Sequence, residues 1–170
     1  MFEVFFDRVQ DGNGGTVPNY LVVSPKSKTD NLVTGVGILP MIQKRFALLK
    51  IFRHPLNAHT WEIPRGFVED GEKNIDSVIR ELEEETGLTC NKRDVESLGF
   101  LAPEAGILSA RIHIFVALKC QWKFPFKSSE MGHKELRLFA PLAMIRMSQN
   151  STIQDPSTLV AFYRYLTRLK

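Results

Sequence analysis

The sequence predicts a mixed α/β domain preceded by a small β-rich segment, and three observations carry that expectation. Apolar runs of strand length flank one stretch of helical periodicity, a second such stretch closes the chain, and 44% hydrophobic residues in 170 positions suffice for one sizeable core. Residues 1–32 read as the N-terminal β-rich segment and residues 33–170 as the domain proper.

Phe2 to Val9 can form a strand, and the Asp-Gly-Asn-Gly-Gly run from Asp11 to Gly15 is a strong turn signal. Tyr20 to Val23 gives another short apolar run, and Ser24 to Asp30 has loop chemistry. This segment holds too few apolar residues to stand alone, so it must pack on the rest of the chain or on a second copy. Val33 to Ile38 and Arg45 to Phe52 are β-like, with Pro40 marking a strand end between them. Trp61 to Ile63 is a short strand, and Pro64-Arg65-Gly66 should turn the chain sharply. Beyond the central helix, Val95 to Ala102, Ile112 to Leu118 and Glu135 to Phe139 are strands, and Trp122 to His133 is a long loop. From Pro156 to Lys170, Leu159, Phe162, Tyr163, Leu166 and Leu169 recur at helical spacing, which predicts a core-packing helix with a basic outer face.

The formal net charge of +3 comes from scattered lysines and arginines, so composition makes no case for nucleic acid, while leaving room for an anionic small molecule. Cys90 and Cys120 are the only cysteines and lie in no pairing or metal-ligand pattern, which favours reduced thiols in an intracellular protein. The apolar cluster at the N-terminus is broken by Glu3, too early for a signal-peptide core, and no run approaches a membrane span. A cytoplasmic protein without membrane contact is expected.

The chemistry concentrates between Gly66 and Leu88. Here Glu81, Glu83, Glu84 and Glu85 put four carboxylates into five positions. On a helix Glu81, Glu84 and Glu85 stand at i, i+3 and i+4, share one face and repel one another, so the cluster asks for a cation. The helix is predicted to start near Asn74 as N-cap, with Asp76 in its first turn and Gly87 at a left-handed C-terminal cap. Ile75, Val78, Ile79 and Leu82 form its buried stripe, which holds the acidic face on a packed scaffold.

Gly66, Glu72, Arg80-Glu81-Leu82, Glu84-Glu85 and Gly87-Leu88 together resemble the signature of the Nudix hydrolases, with every fixed position filled. The resemblance implies an α/β/α sandwich around a mixed sheet, and hydrolysis of a nucleoside diphosphate linked to another group. A pyrophosphate is a multiply charged electrophile, so attack by water needs divalent cations; oxygen-only ligands fit Mg²⁺ or Mn²⁺ and argue against zinc. By similarity Glu81, Glu84, Glu85 and the carbonyl of Gly66 are metal ligands, Arg80 orients the glutamates and Glu72 braces the loop. Glu83 is expected to be solvated surface, and Phe67, Val68 and Leu88 packing residues.

Outside the signature, the stretches Val36 to Pro40, Leu49 to Arg53 and Trp61 to Gly66, with Pro103 beyond, are similar to the ADP-ribose and ADP-sugar pyrophosphatases. Asp155 and Thr158 sit in a stretch similar to their closing helix. The similarity implies substrate contacts at Arg53, assistance from Glu62 on the metal or substrate side, and a homodimer in which an N-terminal aromatic clamps the adenine: Phe5, Phe6 or Tyr20. The general base it implies lies on a mobile loop, where Glu130 is the candidate, with Glu135 and Glu81 as alternatives. Val78-Ile79 replaces a usual pair of small residues, and Arg65 replaces a small residue and adds a positive charge beside the metal site. His54, His59, His113 and His133 show no mutual spacing of a metal site, and His113 reads as a satisfied structural histidine.

The expected substrate is ADP-ribose or an ADP-sugar, cleaved to AMP and a sugar phosphate. Nucleoside triphosphates, dinucleoside polyphosphates and NADH are the alternatives within the fold. A non-catalytic nucleotide- or RNA-binding regulator is the alternative of a different class, and the complete glutamate set argues against it.

Overall fold

The computed structural model describes residues 2–26, 31–128 and 130–168. Its elements are β1 (Phe2–Gln10), β2 (Thr16–Pro25), β3 (Val33–Ile42), β4 (Arg45–Arg53), β5 (Ala58–Glu62), β6 (Arg65–Phe67), α1 (Asn74–Thr86), β7 (Leu88–Thr89), β8 (Val95–Leu101), β9 (Arg111–Ala117), β10 (Gln121–Trp122), β11 (His133–Phe139), α2 (Pro141–Gln149) and α3 (Pro156–Arg168). The central sheet runs β11-β4-β3-β9-β8, with β5 paired to β4 and β6 to β3. Within it β3 and β9 pair in parallel and the other described pairs are antiparallel, so the sheet is mixed.

Period-two alternation divides the core into two layers. Val36 and Ile38 of β3 with Phe115 and Ala117 of β9 face α1, where they bury Val78 and Leu82. Leu39, Phe46, Leu48, Ile114 and Val116 face the other way, onto Met144 of α2 and Ala161 and Phe162 of α3. This is the expected α/β/α sandwich. The α2 helix was not foreseen: its one fully buried residue, Met144, leaves too faint a stripe to read.

Pro40 does not end β3, which continues to Ile42. The reason is a gap in pairing. On one edge of β3, Gly35 to Gly37 pair with β6 and Ile38 donates to the carbonyl of Pro64 at 2.9 Å, whereas β4 joins only at Met41 and Ile42. Two residues on from Ile38, the nitrogen of Pro40 points to the same edge, where no strand pairs, so its missing N–H costs nothing. Pro64 and Arg65 likewise lead into β6 rather than a sharp turn.

Asn74 is the first helical residue and not the cap; Lys73 holds the cap position. The Asn74 amide instead meets His113 Nδ1 at 3.0 Å, and His113 Nε2 meets Ser97 Oγ at 2.7 Å. His113 is thus a satisfied structural histidine that ties the start of α1 to the sheet. Gly87 takes the left-handed cap with φ of 73°. Val78 and Leu82 are fully buried, while Ile75 and Ile79 are half-buried. In α3, Tyr163 turns out to solvent and Tyr165 packs on Phe46; Leu169 and Lys170 lie outside the described residues, as do residues 27–30 of the expected loop.

β1 and β2 form a separate hairpin whose turn is set by Asp11, whose Oδ1 accepts from the amides of Asn13 and Gly15 at 2.8 Å each. The hairpin joins the domain through Val23, which bonds Ile107 and Ser109, and through Tyr20, whose hydroxyl donates to the Gly106 carbonyl at 2.8 Å. Phe2, Val4 and Phe6 alternate along β1 and all remain exposed. No helix among the described residues is long and apolar enough to cross a membrane.

Candidate active site

The signature helix brings its carboxylates against β6. Glu81 and Glu85 are 6% and 4% exposed, so two of the three carboxylates on the acidic face are buried. Glu81 lies over Gly66, and any Cβ at that position would overlap its carboxylate, which explains the glycine. Glu85 Oε2 accepts the backbone N–H of Arg65 at 2.9 Å. Burial, with the charges of Glu130 and Glu81, pushes the Glu85 carboxyl up to about 8. Burial also raises Glu81, with Glu84 and Glu130 adding to it and Arg80 opposing. Glu84 keeps more than half of its side chain in solvent.

Arg80 ties these groups together. It donates through Nη1 to Glu81 at 2.6 Å and Glu84 at 3.3 Å, through Nη2 to Glu72 and the Phe67 carbonyl at 2.9 Å each, and through Nε to Glu72 at 3.2 Å. Glu72 also accepts from Ser77 Oγ at 2.6 Å. The Arg80 bonds, assisted by Ser77 and the Glu69 amide, hold the Glu72 carboxyl down at about 2, despite some desolvation. Arg80 thus contacts Glu72, Glu81 and Glu84, and Glu72 accepts from the Glu69 amide of the loop before α1. Glu83, expected as solvated surface, instead accepts from Thr89 Oγ1 at 2.8 Å and Lys123 Nζ at 2.7 Å, pinning the chain that leaves α1.

A second ionic chain lies beside the first. Glu62, 2% exposed, receives Arg53 in a fork, Nε at 2.8 Å and Nη2 at 2.5 Å, together with Arg65 Nη2 and the Thr60 hydroxyl. Burial alone would raise the Glu62 carboxyl, but these donors outweigh it and leave it below its ordinary value. Arg65 continues to Asp155 Oδ1 at 3.2 Å, and Asp155 Oδ2 caps α3 by accepting from the amide and hydroxyl of Thr158. The Thr158 oxygen in turn accepts the Ile63 amide at 2.9 Å. The unusual Arg65 is thus committed to carboxylates by its side chain and to Glu85 by its backbone.

These chains border a cavity of about 410 Å³. Arg53, Arg65, Gly66, Glu85, Glu130 and His133 line it, with Phe2, Phe67 and Pro103. Glu62 does not line it and reaches it through Arg53 and Arg65. Phe67 is not a packing residue but a half-exposed ring in contact with Phe2, centroids 5.9 Å apart. Phe5, Phe6 and Tyr20 do not line the cavity of their own chain; Phe2 does. Glu135 pairs with Arg137 on β11 and is also absent from the lining.

His133 is the residue that sequence reasoning missed. Its Nε2 lies 3.7 Å from both Glu85 and Glu130, and among the described residues these three bring ligand atoms within 4.8 Å of one another. Its buried Nδ1 has no hydrogen-bond partner among the described residues, and burial foremost, with Arg53 nearby, lowers its pKa. The only sequence signal was Gly132 before it, which takes φ of 92° as the loop enters β11. One buried carboxylate, an exposed second and the Nε2 edge of His133 thus converge, and with Glu81 and Glu84 on the same helix face as Glu85 the carboxylate oxygens form a donor set that fits divalent cations.

Residues 31–159 match the family model of the NUDIX domain. The chain belongs to the Nudix family. Over 57 residues this Nudix chain is 42% identical to an ADP-sugar pyrophosphatase of Mus musculus, and over 117 residues 30% identical to an ADP-ribose pyrophosphatase of Bacillus subtilis (strain 168). Those alignments cover 31% and 69% of this chain, but only 26% and 58% of the two relatives, so the chain spans less than two thirds of either. Among solved structures, one titled as an ADP compounds hydrolase superposes with a TM-score of 0.81 at 18% identity, covering 99% of this chain and 86% of that one. At that identity the likeness establishes the Nudix fold.

Proposed function

We propose that this chain hydrolyses the pyrophosphate of ADP-ribose or an ADP-sugar, giving AMP and a sugar phosphate, with Mg²⁺ or Mn²⁺ as cofactor. The observation that carries the reading is one cavity lined at once by Glu85 and Gly66 of the signature, by the forked Arg53, and by the Phe2 and Phe67 rings. Carboxylates for cations, a fixed guanidinium for phosphate oxygens and rings for a nucleobase are the parts such a substrate needs. The two pyrophosphatase relatives support the same substrate class.

Glu81, Glu84, Glu85 and the Gly66 carbonyl would hold the cations, and Arg80 keeps Glu81 and Glu84 aimed. When bound, the cations neutralise the pyrophosphate and lower the pKa of the attacking water. Glu130, exposed yet on the cavity lining, takes the water's proton, which its neighbours Glu135 and Glu81 are less free to do. Glu62 holds Arg53 and Arg65 apart at fixed positions. The exposed apolar edge of β1 supports a homodimer built on the hairpin, and the two free thiols favour a cytoplasmic location.

The test is turnover of a panel of nucleoside diphosphate compounds with Mg²⁺ or Mn²⁺, read as release of phosphatase-sensitive products. ADP-ribose or an ADP-sugar is expected to lead. Turnover of a triphosphate with ADP-ribose untouched overturns the substrate class. Nucleotide binding with no turnover of any compound overturns catalysis.

A further inference from the structure

The short ladder that follows the signature helix aligns two thiols. β7 and β10 are antiparallel, with Leu88 opposite Trp122 and Thr89 opposite Gln121. Continued one step, the same register sets Cys90 opposite Cys120. The Lys123 amide donates to the Gly87 carbonyl at 2.9 Å, which makes Gly87 and Lys123 a hydrogen-bonded pair. Alternation then makes Thr89 with Gln121 the next hydrogen-bonded pair and leaves Cys90 with Cys120 a narrow, non-hydrogen-bonded one, with Cα atoms about 4.5 Å apart. The Cys120 amide agrees, since it donates elsewhere, to the Met41 carbonyl at 2.9 Å. Disulfides span Cα separations of about 4.4–6.8 Å, and opposed residues project to the same face. Both side chains do pack against the one core cluster under α1.

We propose that Cys90 and Cys120 are an oxidation site, at which a peroxide forms a reversible intrachain disulfide that fastens the segment leaving α1 to β10. The two thiols differ in the way such a reaction requires. Cys90 is half-buried and reachable, whereas Cys120 is 5% exposed and donates to the Ala117 carbonyl at 3.1 Å. The neighbouring Cys120 thiol is the main influence that lowers Cys90 below its ordinary value, and the same neighbour, with burial, raises Cys120. Cys90 is therefore the attacking thiolate and Cys120 the resolving thiol. The Cys90 thiolate takes one oxygen from the peroxide, releasing hydroxide (or alkoxide) and becoming a sulfenic acid. The Cys120 sulfur then attacks the Cys90 sulfur, the S–S bond forms, and the sulfenic oxygen leaves as water with the Cys120 proton. The thiols lose two electrons and the peroxide gains them.

The joint being clipped already exists without the bond. Glu83 holds Thr89 and Lys123, and the Gly87 carbonyl accepts from both Lys123 and Phe124. The disulfide adds a covalent tie three positions beyond the cap of the helix carrying Glu81 and Glu85. This inference rests on the thiols alone and does not depend on the substrate.

The test treats the full chain with a slight excess of hydrogen peroxide and reads intact mass, free-thiol titre, non-reducing peptide maps and melting midpoint. The monomer mass should fall by two hydrogens, both thiols should disappear, one peptide pair should link Cys90 to Cys120, and dithiothreitol should reverse all three. The midpoint should rise by roughly 5–10 °C in the oxidised form. Cys90→Ala and Cys120→Ala should each abolish the link. Stepwise oxygen addition at Cys90 with Cys120 left free, a dimer linked through Cys90, or an unchanged midpoint in the linked form overturns the proposal. The wild-type mass and map decide it even where Cys120→Ala fails to fold.

Discussion

The backbone N–H of Arg65 donates to Oε2 of Glu85 at 2.9 Å, so a metal-ligand candidate on the helix is positioned by the main chain of the strand before it. A side-chain change at Arg65 leaves that donor in place, whereas Glu85→Gln keeps one acceptor oxygen but removes the negative charge a cation needs. Glu85→Gln is expected to lower metal-dependent kcat about a hundredfold or more while the chain stays folded. Steady-state turnover and the far-UV spectrum check it; kcat within a few-fold of wild type removes Glu85 from the metal set.

The pH dependence of the metal-free protein follows from the same carboxylate. Glu85 is raised from 4.5 to about 8 on folding, and a group raised by folding stabilises most below its unfolded value and loses that contribution as pH climbs through the folded one. The metal-free midpoint should therefore decline from pH 4.5 to 8, and the decline should flatten in Glu85→Gln. Glu72 is shifted the other way, to about 2, so its contribution is present above pH 4.5 and is lost as pH falls towards 2. Melting curves of the wild type, Glu85→Gln and Glu72→Gln across this range separate the two.

Gly66→Ala tests the cradle under Glu81. The added Cβ meets the Glu81 carboxylate itself, so the side chain must leave its place or the strand must shift. A cost of about 1–3 kcal/mol in stability is expected, with loss of turnover larger than the stability change explains. Chemical denaturation and turnover at low temperature distinguish these effects.

Glu62→Ala leaves two arginines facing each other across an empty site. Breaking a buried pair costs about 3–5 kcal/mol; because Arg53 keeps more than a third of its side chain in solvent, about 2–3 kcal/mol is expected here. KM should rise as Arg53 loses its fork. Glu62→Gln, which keeps the shape and one acceptor, should recover part of both in paired denaturation and kinetic measurements.

The fold was legible where periodicity was strong. Val78 and Leu82 are buried in the stripe their spacing assigns, and the strand expected from Ile112 to Leu118 is β9. Pro40 misled because its cost depends on which edge of β3 is paired, which no single strand reveals. Within the site, the spacing of Glu81, Glu84 and Glu85 was visible, but their burial and the path of Arg65 were not, since both depend on β6 lying against α1. His133 was invisible for the same reason: its neighbours Glu85 and Glu130 come from a helix far away in sequence and from its own loop.

The unpaired stretch at Pro40 has one more consequence. The chain leaves β3 through β4 and returns through β6 to the same edge, so Arg53 and Glu62 ride on an excursion whose two ends are both measured from one strand. β3 is a shared datum for the arginine fork and for Gly66, and Pro40 stops the two branches from zipping together between them. Changes of length near Asn57, at the outer tip, leave that datum untouched; a residue added between Ile38 and Met41 would move Arg53 out of step with the carboxylates.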